Sequence, residues 1–436
     1  MSRSRGLPVP SSRLARLGRL SGMTAGVAGN MALGGAAALG RGERPSWRGL
    51  LMTPSNVTRI ADQLAKMRGA AMKIGQMVSM DTGDVLPPEL AQIMARLRDD
   101  AHFMPPAQLS KVLSQAWPEG WRRSFARFDV RPIAAASIGQ VHRARLTDGR
   151  DLAIKVQYPG VAKSIDSDVA NVGALIRMSG LLPKGFSLAP YLDEAAAQLH
   201  EETDYLREAA HLTRFGTLLA DADGITLPRA HPDWSTDTVL AMDFVPSRPI
   251  EEAVSESEEV RTQLVARLLD LTLRELFEFK LMQTDPNFAN YRYRVGTAEV
   301  VLLDFGATRR VSDRISTAYR KMLRCGLAGD LDVVEEIAVS IGFFDKKTEP
   351  HHLTRIRRMM AMIFDALRAE SFDFADPTLS RQMQAEGEAL ARGGFIPPVV
   401  PTEVLFLQRK LAGMFLLGAR LGVRLPVAQM MARYLD

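Results

Sequence analysis

The sequence has a single cysteine, Cys325, among its 436 residues. One cysteine cannot close an internal disulfide, and it cannot build a zinc or iron–sulfur site from thiolates, so both are excluded. The chain also has no basic stretch interleaved with aromatic residues and no nucleic-acid recognition motif, so we do not expect a nucleic-acid partner. Its hydrophobic fraction of 46% and charged fraction of 24% are those of an ordinary globular protein.

Acidic residues are absent from the first 42 residues, which contain six arginines. Residues 21–40 carry no charge and approach the length of a membrane span. Because they are mainly Gly and Ala, which contribute little to insertion energy, we expect a helix that packs on the protein or lies on a membrane surface rather than a span. This head is predicted to bind an anionic lipid surface. An organelle-targeting peptide and a disordered basic arm are the alternatives.

The pattern of apolar residues predicts an α+β fold in four segments. Residues 1–50 are the basic Gly/Ala-rich head, and residues 51–125 are a helical extension without strand signals. Residues 126–245 are predicted to combine strands at 125–133, 138–146 and 150–158 with one long helix at 189–219. Residues 246–436 are predicted to be largely helical, and entirely helical after Arg310.

Five polar residues stand in the order that a protein kinase requires. Lys155 lies in an LAIK sequence on the third predicted strand, where its ammonium can hold nucleotide phosphates, and Glu208 on the following helix can orient it. Asp285 and Asn290 have the spacing D-x-x-x-x-N, which places a base and a metal ligand on one loop. Asp304 begins an Asp-Phe-Gly sequence and offers a carboxylate for magnesium. In the order of the predicted elements, these residues predict a two-lobed protein-kinase-like fold, with residues 126–245 as its N-lobe and residues 246–436 as its largely helical C-lobe. They also predict a site for ATP or ADP with Mg²⁺.

Several features depart from ordinary protein kinases. No G-x-G-x-x-G precedes the lysine strand, because the alanine-rich residues 134–140 fill that place. Gln283 and Thr284 replace the usual His-Arg, and Asn287 stands where serine/threonine kinases carry a lysine. No A-P-E sequence or activation segment follows Gly306. These departures argue against protein substrates.

The sequence resembles the UbiB (AarF-domain) family of atypical kinases, and most closely its branch that supports coenzyme Q biosynthesis. The motifs that carry the resemblance are Lys73-Ile74-Gly75-Gln76, the alanine-rich loop, Glu202-Thr203-Asp204, Gln283-Thr284-Asp285-Pro286-Asn287 and Asp304-Phe305-Gly306. The resemblance implies that the K-x-G-Q helix lies across the active site, that Lys73 pairs with Glu202, and that Gln76 faces the nucleotide.

The site predicted from the motifs and the resemblance has three groups of residues. The catalytic group is Asp285, Lys155, Lys73 and Gln76; the nucleotide-binding group is Ala134, Ala135, Ala136, Ser137, Lys155, Glu202, Asp204, Glu208, Phe244 and Val245; the metal ligands are Asn290 and Asp304.

The predicted function is that of an ATP-dependent atypical kinase or ATPase that supports ubiquinone biosynthesis at a membrane. The phosphoryl acceptor is left open between a polar lipid precursor and water, and quinone-biosynthesis proteins are candidate partners. The predicted location is cytoplasmic and peripheral at the inner membrane, or mitochondrial in a eukaryote. One alternative is a nucleotide-gated scaffold for a lipid-biosynthetic complex. Another is a small-molecule kinase of the aminoglycoside or choline type, against which the K-x-G-Q sequence speaks.

Overall fold

The computed structural model describes residues 69–71, 73–74, 103–179, 188–396, 398 and 400–435. They divide into two compact units. The first contains the described residues up to Ala209 together with Ala230–Phe244, and the second contains Ala210–Arg229 and the described residues from Val245 onward. The four-segment division made from the sequence stays a prediction. Residues 21–40, Gln76 and the part of the predicted helical extension between residues 75 and 102 lie outside the described residues.

The elements before residue 245 are α1 (Pro106–Ala116), β1 (Phe125–Phe128), β2 (Ala134–Ala135), β3 (Gly139–Leu146), β4 (Asp151–Gln157), α2 (Val161–Ser179), α3 (Ala189–Glu202), α4 (Tyr205–Leu218), β5 (Ile225–Thr226) and β6 (Val239–Asp243). From residue 245 they are β7 (Arg248–Pro249), α5 (Glu258–Arg274), β8 (Leu281–Gln283), β9 (Tyr291–Arg294), β10 (Glu299–Leu302), β11 (Thr308–Arg310), α6 (Asp313–Ala328), α7 (Leu331–Ser340), α8 (Pro350–Leu367), β12 (Phe372–Asp373), α9 (Thr378–Arg392), α10 (Thr402–Leu421), β13 (Arg424–Leu425) and α11 (Val427–Ala432).

The first unit is built on a five-stranded antiparallel sheet in the order β1-β3-β4-β6, with β2 paired to β3. Strand β4 is central, because β3 pairs with one of its edges and β6 with the other. Its buried Ile154 and Val156 form part of the core. The turn between β3 and β4 contains Gly149 with φ 96°, a left-handed conformation that glycine adopts without a steric cost.

An aromatic cluster closes one side of this sheet. The rings of Trp117, Trp121, Phe125 and Trp234 contact one another at centroid distances of 4.8–5.6 Å. The indole of Trp117 also donates a 3.0 Å hydrogen bond to the carbonyl of Trp234, so its polar atom is satisfied. This cluster joins α1 and the turn after it to the strands that carry the site.

The single helix predicted over residues 189–219 is wrong, because the structure has two helices with a break at Thr203 and Asp204. Thr203 donates its hydroxyl to the carbonyl of His200 at 2.7 Å, which occupies a terminal carbonyl of α3. Asp204 accepts a 2.9 Å hydrogen bond from the amide of Arg207, as an N-cap residue does. Local side-chain bonds therefore end one helix and begin the next.

The second unit is mainly helical and has three small sheets. One has the strand order β5-β10-β9-β7, and the other two are the pairs β8–β11 and β12–β13. The prediction of helix throughout the chain after Arg310 is wrong at β12 and β13. The α+β class is confirmed. Among the described residues, no helix is both long enough and apolar enough to span a membrane.

Candidate active site

The central strand of the first unit carries a buried ion pair. Lys155 on β4 places its Nζ 2.8 Å from both carboxylate oxygens of Glu208 in the first turn of α4. The lysine and glutamate side chains are 9% and 2% exposed, so water screens this pair weakly. The ammonium also lies 5.1 Å from the centre of the Tyr205 ring. This arrangement holds a positive charge in one direction, as the phosphate-binding lysine of a kinase requires.

The alanine-rich loop forms a tight turn onto β3. Ala134 and Ala135 make up β2, and the amide of Ala136 donates to the carbonyl of Gly139 at 2.9 Å. A Cβ at Gly139 would lie 2.4 Å from the backbone oxygen of Val156, a contact that a side chain cannot make. Strand pairing and this close approach therefore hold the loop against β4.

Gln140, directly after that turn, is fully buried in a chain of hydrogen bonds. Its Oε1 accepts from the amide of Met104 at 2.8 Å, and its Nε2 lies 2.8 Å from Nε2 of His142. His142 Nδ1 lies 2.8 Å from the carbonyl of Asp129. These partners assign the proton of neutral His142 to Nδ1. Burial lowers the pKa of His142.

The described part of the K-x-G-Q segment contacts the end of α3. Residues 69–71 and 73–74 are helical, and Nζ of Lys73 lies 2.7 Å from Oε1 of Glu202. Lys73 is 2% exposed, and Ser137 of the alanine-rich loop donates its hydroxyl to the other oxygen of Glu202. One carboxylate thus joins the helical extension to the loop. The structure brings together Lys73, Glu202 and Ser137, as the resemblance implies for the first two, whereas Asp204 is exposed and caps α4.

Phe244 and Val245 stand at the boundary between the units. The amide of Phe244 donates to the carbonyl of Asp151 at 2.8 Å, and its ring lies 4.1 Å from the guanidinium carbon of Arg143. Val245 begins the next part of the second unit, where its carbonyl accepts the hydroxyl of Ser247 at 3.0 Å.

The second unit brings the D-x-x-x-x-N loop against the Asp-Phe-Gly sequence. The side-chain amide of Asn290 donates to the carbonyl of Asp285 at 3.3 Å, and the amide of Leu303 donates to the carbonyl of Asn290 at 3.3 Å. Asp304 Oδ1 accepts from the amide of Gly306 at 2.9 Å, which fixes the direction of its carboxylate. The structure therefore places Asp285, Asn290 and Asp304 on neighbouring segments of the same unit.

These residues fit a magnesium ion. Asn290 and Asp304 line the same small cavity. The nitrogen of the Asn290 side chain is engaged by Asp285, so its Oδ1 is the atom left to act as a ligand. An amide oxygen and a carboxylate are hard donors of the kind that Mg²⁺ prefers.

The motifs did not predict a buried cation behind this loop. Lys410 on α10 is 1% exposed, and its Nζ lies 2.9 Å from both the carbonyl of Gln283 and the hydroxyl of Tyr291. It also lies 3.2 Å from Oε2 of Glu275, in the π-helical turn Glu275–Phe279. The one sequence signal for this site is a lysine within the apolar run of α10.

The central strand carries a lysine that pairs with a glutamate on the following helix, and the sequences D-x-x-x-x-N and Asp-Phe-Gly come later in the chain. This combination defines a protein-kinase-like fold. Residues 96–338 match the family model described as ABC1 atypical kinase-like domain. This chain therefore belongs to the ABC1 (UbiB) family of atypical kinases.

Two curated relatives cover nearly the whole chain. The protein named atypical kinase COQ8, mitochondrial, from Saccharomyces cerevisiae is 36% identical over 426 residues, which are 97% of this chain and 84% of the yeast protein. Atypical kinase COQ8B, mitochondrial, from Rattus norvegicus is 38% identical over 430 residues, covering 96% of this chain and 80% of the rat protein.

A solved structure supports the fold. The Rv3197–erythromycin complex from Mycobacterium tuberculosis has a TM-score of 0.60 and 20% identity, and the match covers 88% of this chain and 96% of that one. The predictions of a kinase-like α+β fold and of membership in the UbiB family of atypical kinases are confirmed. The roles of the individual site residues stay predictions.

Proposed function

We propose that this chain binds ATP or ADP with magnesium and uses the nucleotide in the service of coenzyme Q biosynthesis at a membrane surface. The observation that carries the proposal is the buried pair of Lys155 and Glu208, because a lysine held at 2.8 Å by both oxygens of a carboxylate is poised as a fixed phosphate ligand. Family membership supports it, since the ABC1 domain is kinase-like.

The mechanism assigns a separate task to each group. Lys155 binds the nucleotide phosphates, and the alanine-rich loop contacts the nucleotide with Ala134 to Ser137 as predicted from the sequence. Asn290 and Asp304 would hold the metal, which would neutralise charge on the phosphate oxygens. Asp285 accepts a proton from the attacking hydroxyl or orients it. The acceptor is a small polar lipid precursor or water.

The test is a conservative change at the metal ligand. Asp304→Asn keeps the shape of the side chain and removes its charge, so Mg-dependent ATP turnover should fall by at least about 100-fold. Binding of Mn²⁺ in the presence of nucleotide, followed by electron paramagnetic resonance, should weaken in parallel. Asp345→Asn is the matched control, because Asp345 is exposed in the same unit and caps only a local turn. Undiminished turnover in Asp304→Asn would refute the proposal.

A nucleotide-gated scaffold is the second candidate, and the place of Asn287 favours it. Serine/threonine kinases carry a lysine there for the transferring phosphate, whereas the side chain of Asn287 accepts a 3.1 Å hydrogen bond from the amide of Ala289 and caps a short turn. Lipid extracts incubated with γ-labelled ATP and the protein discriminate between the two. A labelled lipid supports the kinase, and nucleotide binding without any labelled product supports the scaffold.

Membrane association is proposed from the basic head. The six arginines among the first 42 residues would attract anionic headgroups. The protein should float with cardiolipin-containing liposomes and stay below neutral phosphatidylcholine ones. Replacing the six arginines by glutamine should abolish flotation, and a wild-type chain that never floats contradicts the proposal. Accumulation of quinone precursors in cells that lack the gene would support a role at that surface.

A further inference from the structure

Helix α10 contacts the catalytic loop at two points that are one turn apart. The ammonium of Lys410 bonds the carbonyl of Gln283 at 2.9 Å. Three residues later, Gly413 faces Pro286, and a Cβ at Gly413 would lie 2.3 Å from Cβ of Pro286. Residues 410 and 413 lie on the same face of a helix. Asp285 stands between the two contacted loop residues, so α10 holds the chain on both sides of the proposed base.

The buried ammonium also reaches the other end of the loop. Its second hydrogen bond, at 2.9 Å, goes to the hydroxyl of Tyr291, the residue directly after Asn290. That hydroxyl lies 3.3 Å from Oε1 of Gln283, so the two ends of the loop are also joined to each other. The third partner of the ammonium is Glu275, whose Oε1 accepts from the amide of Gln283 at 3.1 Å. The ammonium is therefore hydrogen-bonded to two loop residues and forms an ion pair with a carboxylate that is itself bonded to the loop.

The charges of this cluster are consistent with a fixed cation. Burial alone lowers the pKa of Lys410, but the Glu275 carboxylate and the Tyr291 hydroxyl outweigh it, and the pKa lies above its ordinary value. Burial raises the pKa of Glu275, and the ammonium opposes that shift. Glu275 sits in a π-helical turn, an irregularity that is frequent at functional sites.

We propose that Lys410 and Gly413 are positioning residues that hold residues 283–291 in the geometry in which Asp285 and Asn290 act. The inference rests on the proposed function, because it takes that loop to carry the base and a metal ligand. A buried lysine at this position would contribute little to the stability of the fold. Three polar partners and a full charge cost desolvation that apolar residues of the same volume avoid.

The test compares Lys410→Met with Arg420→Met. Both substitutions remove one charge from the same helix, but Arg420 is 55% exposed and lies 3.7 Å from the carboxylate of Glu251. Lys410→Met should weaken Mn²⁺ binding to the nucleotide-loaded protein by about 10–100-fold and lower kcat by a similar factor. Nucleotide affinity without metal should change by less than about twofold, since Lys155 is untouched. Arg420→Met should leave all three values unchanged.

Gly413→Ala is the second variant, and it preserves every charge. The added methyl group must displace Pro286, so we expect the same weakening of Mn²⁺ binding without loss of the ammonium. If Lys410→Met does not fold, Lys410→Arg together with Gly413→Ala decides the question by the same measurements. The inference is overturned if the variants that fold bind Mn²⁺ and turn over ATP like Arg420→Met. Asp304→Asn separates the two claims, because full activity in that variant refutes the proposed function itself.

Discussion

Replacing Glu208 by glutamine should destabilise the first unit by about 3–5 kcal/mol, the usual cost of leaving a buried charge without its counter-ion. The structure supports a cost within this range. Lys155 and Glu208 are 9% and 2% exposed, so water cannot replace the lost carboxylate, and both oxygens are engaged at 2.8 Å. A glutamine offers one neutral oxygen in place of two charged ones.

Urea unfolding followed by tryptophan fluorescence measures this cost directly. Three of the four tryptophans, Trp117, Trp121 and Trp234, belong to the aromatic cluster of the same unit, so the signal reports its unfolding. Asp151→Asn is the matched control. This substitution breaks the ion pair between Asp151 and Arg143 on the same sheet, whose side chains are 34% and 45% exposed. The loss should lower the free energy of unfolding by at most about 1 kcal/mol.

The double variant Lys155→Met with Glu208→Leu separates stability from function. Because both charges are removed together, it should be more stable than Glu208→Gln, with a coupling energy of at least about 2 kcal/mol. It should nevertheless fail to bind nucleotide, since the phosphate ligand is gone. If Glu208→Gln lowers the free energy of unfolding by less than about 1 kcal/mol, the Lys155–Glu208 pair behaves like an exposed ion pair, and the argument from its burial is refuted.

Two further predictions concern the loop and the strand beside this pair. Gly139→Ala should lower the free energy of unfolding by about 1–3 kcal/mol, because its Cβ would meet a backbone oxygen at 2.4 Å. Gly216→Ala in α4 is the control and should be neutral or stabilising, because the added methyl group would enter open space. Equal effects of the two substitutions would contradict this prediction. The pKa of His142 is lowered by burial, so below its ordinary value of 6.5 the unfolded chain binds a proton that the folded protein does not, and stability falls as pH drops, by at most about 1.4 kcal/mol per pH unit. His142→Asn should reduce that slope in urea titrations between about pH 5.5 and about pH 7.5, and an unchanged slope would contradict the assignment.

The site residues that could be predicted from the sequence are those that stand in short motifs. Lys155 follows an apolar alternation that marks a strand, and Asp304 follows a continuous apolar run that marks another, so the neighbouring residues in the sequence indicate the role of each. The break at Thr203 and Asp204 could not be predicted from apolar periodicity, because two local side-chain bonds, one from Thr203 and one to Asp204, end the first helix and begin the second.

Lys410 could not be predicted for a different reason. Its loop partners Tyr291 and Gln283 lie 119 and 127 positions earlier in the chain, and nothing in the local pattern of α10 specifies that distant loop. A charged residue in an apolar stripe of a helix indicates an exposed side chain as readily as a buried one. Only the tertiary packing of α10 on the loop distinguishes the two cases.

The buried lysines of the described chain follow one rule. Lys73, Lys155 and Lys410 are each less than a tenth exposed, and each has a glutamate carboxylate within 3.2 Å. Fold stability alone gives little reason to keep three such pairs, because desolvation offsets most of their attraction. Each pair instead joins a segment of the predicted site to a second element: the K-x-G-Q segment to α3, β4 to α4, and α10 to the turn beside the catalytic loop. Replacing any whole pair with apolar residues of equal volume should therefore leave the protein folded and change its turnover, since geometry rather than stability is what each pair supplies.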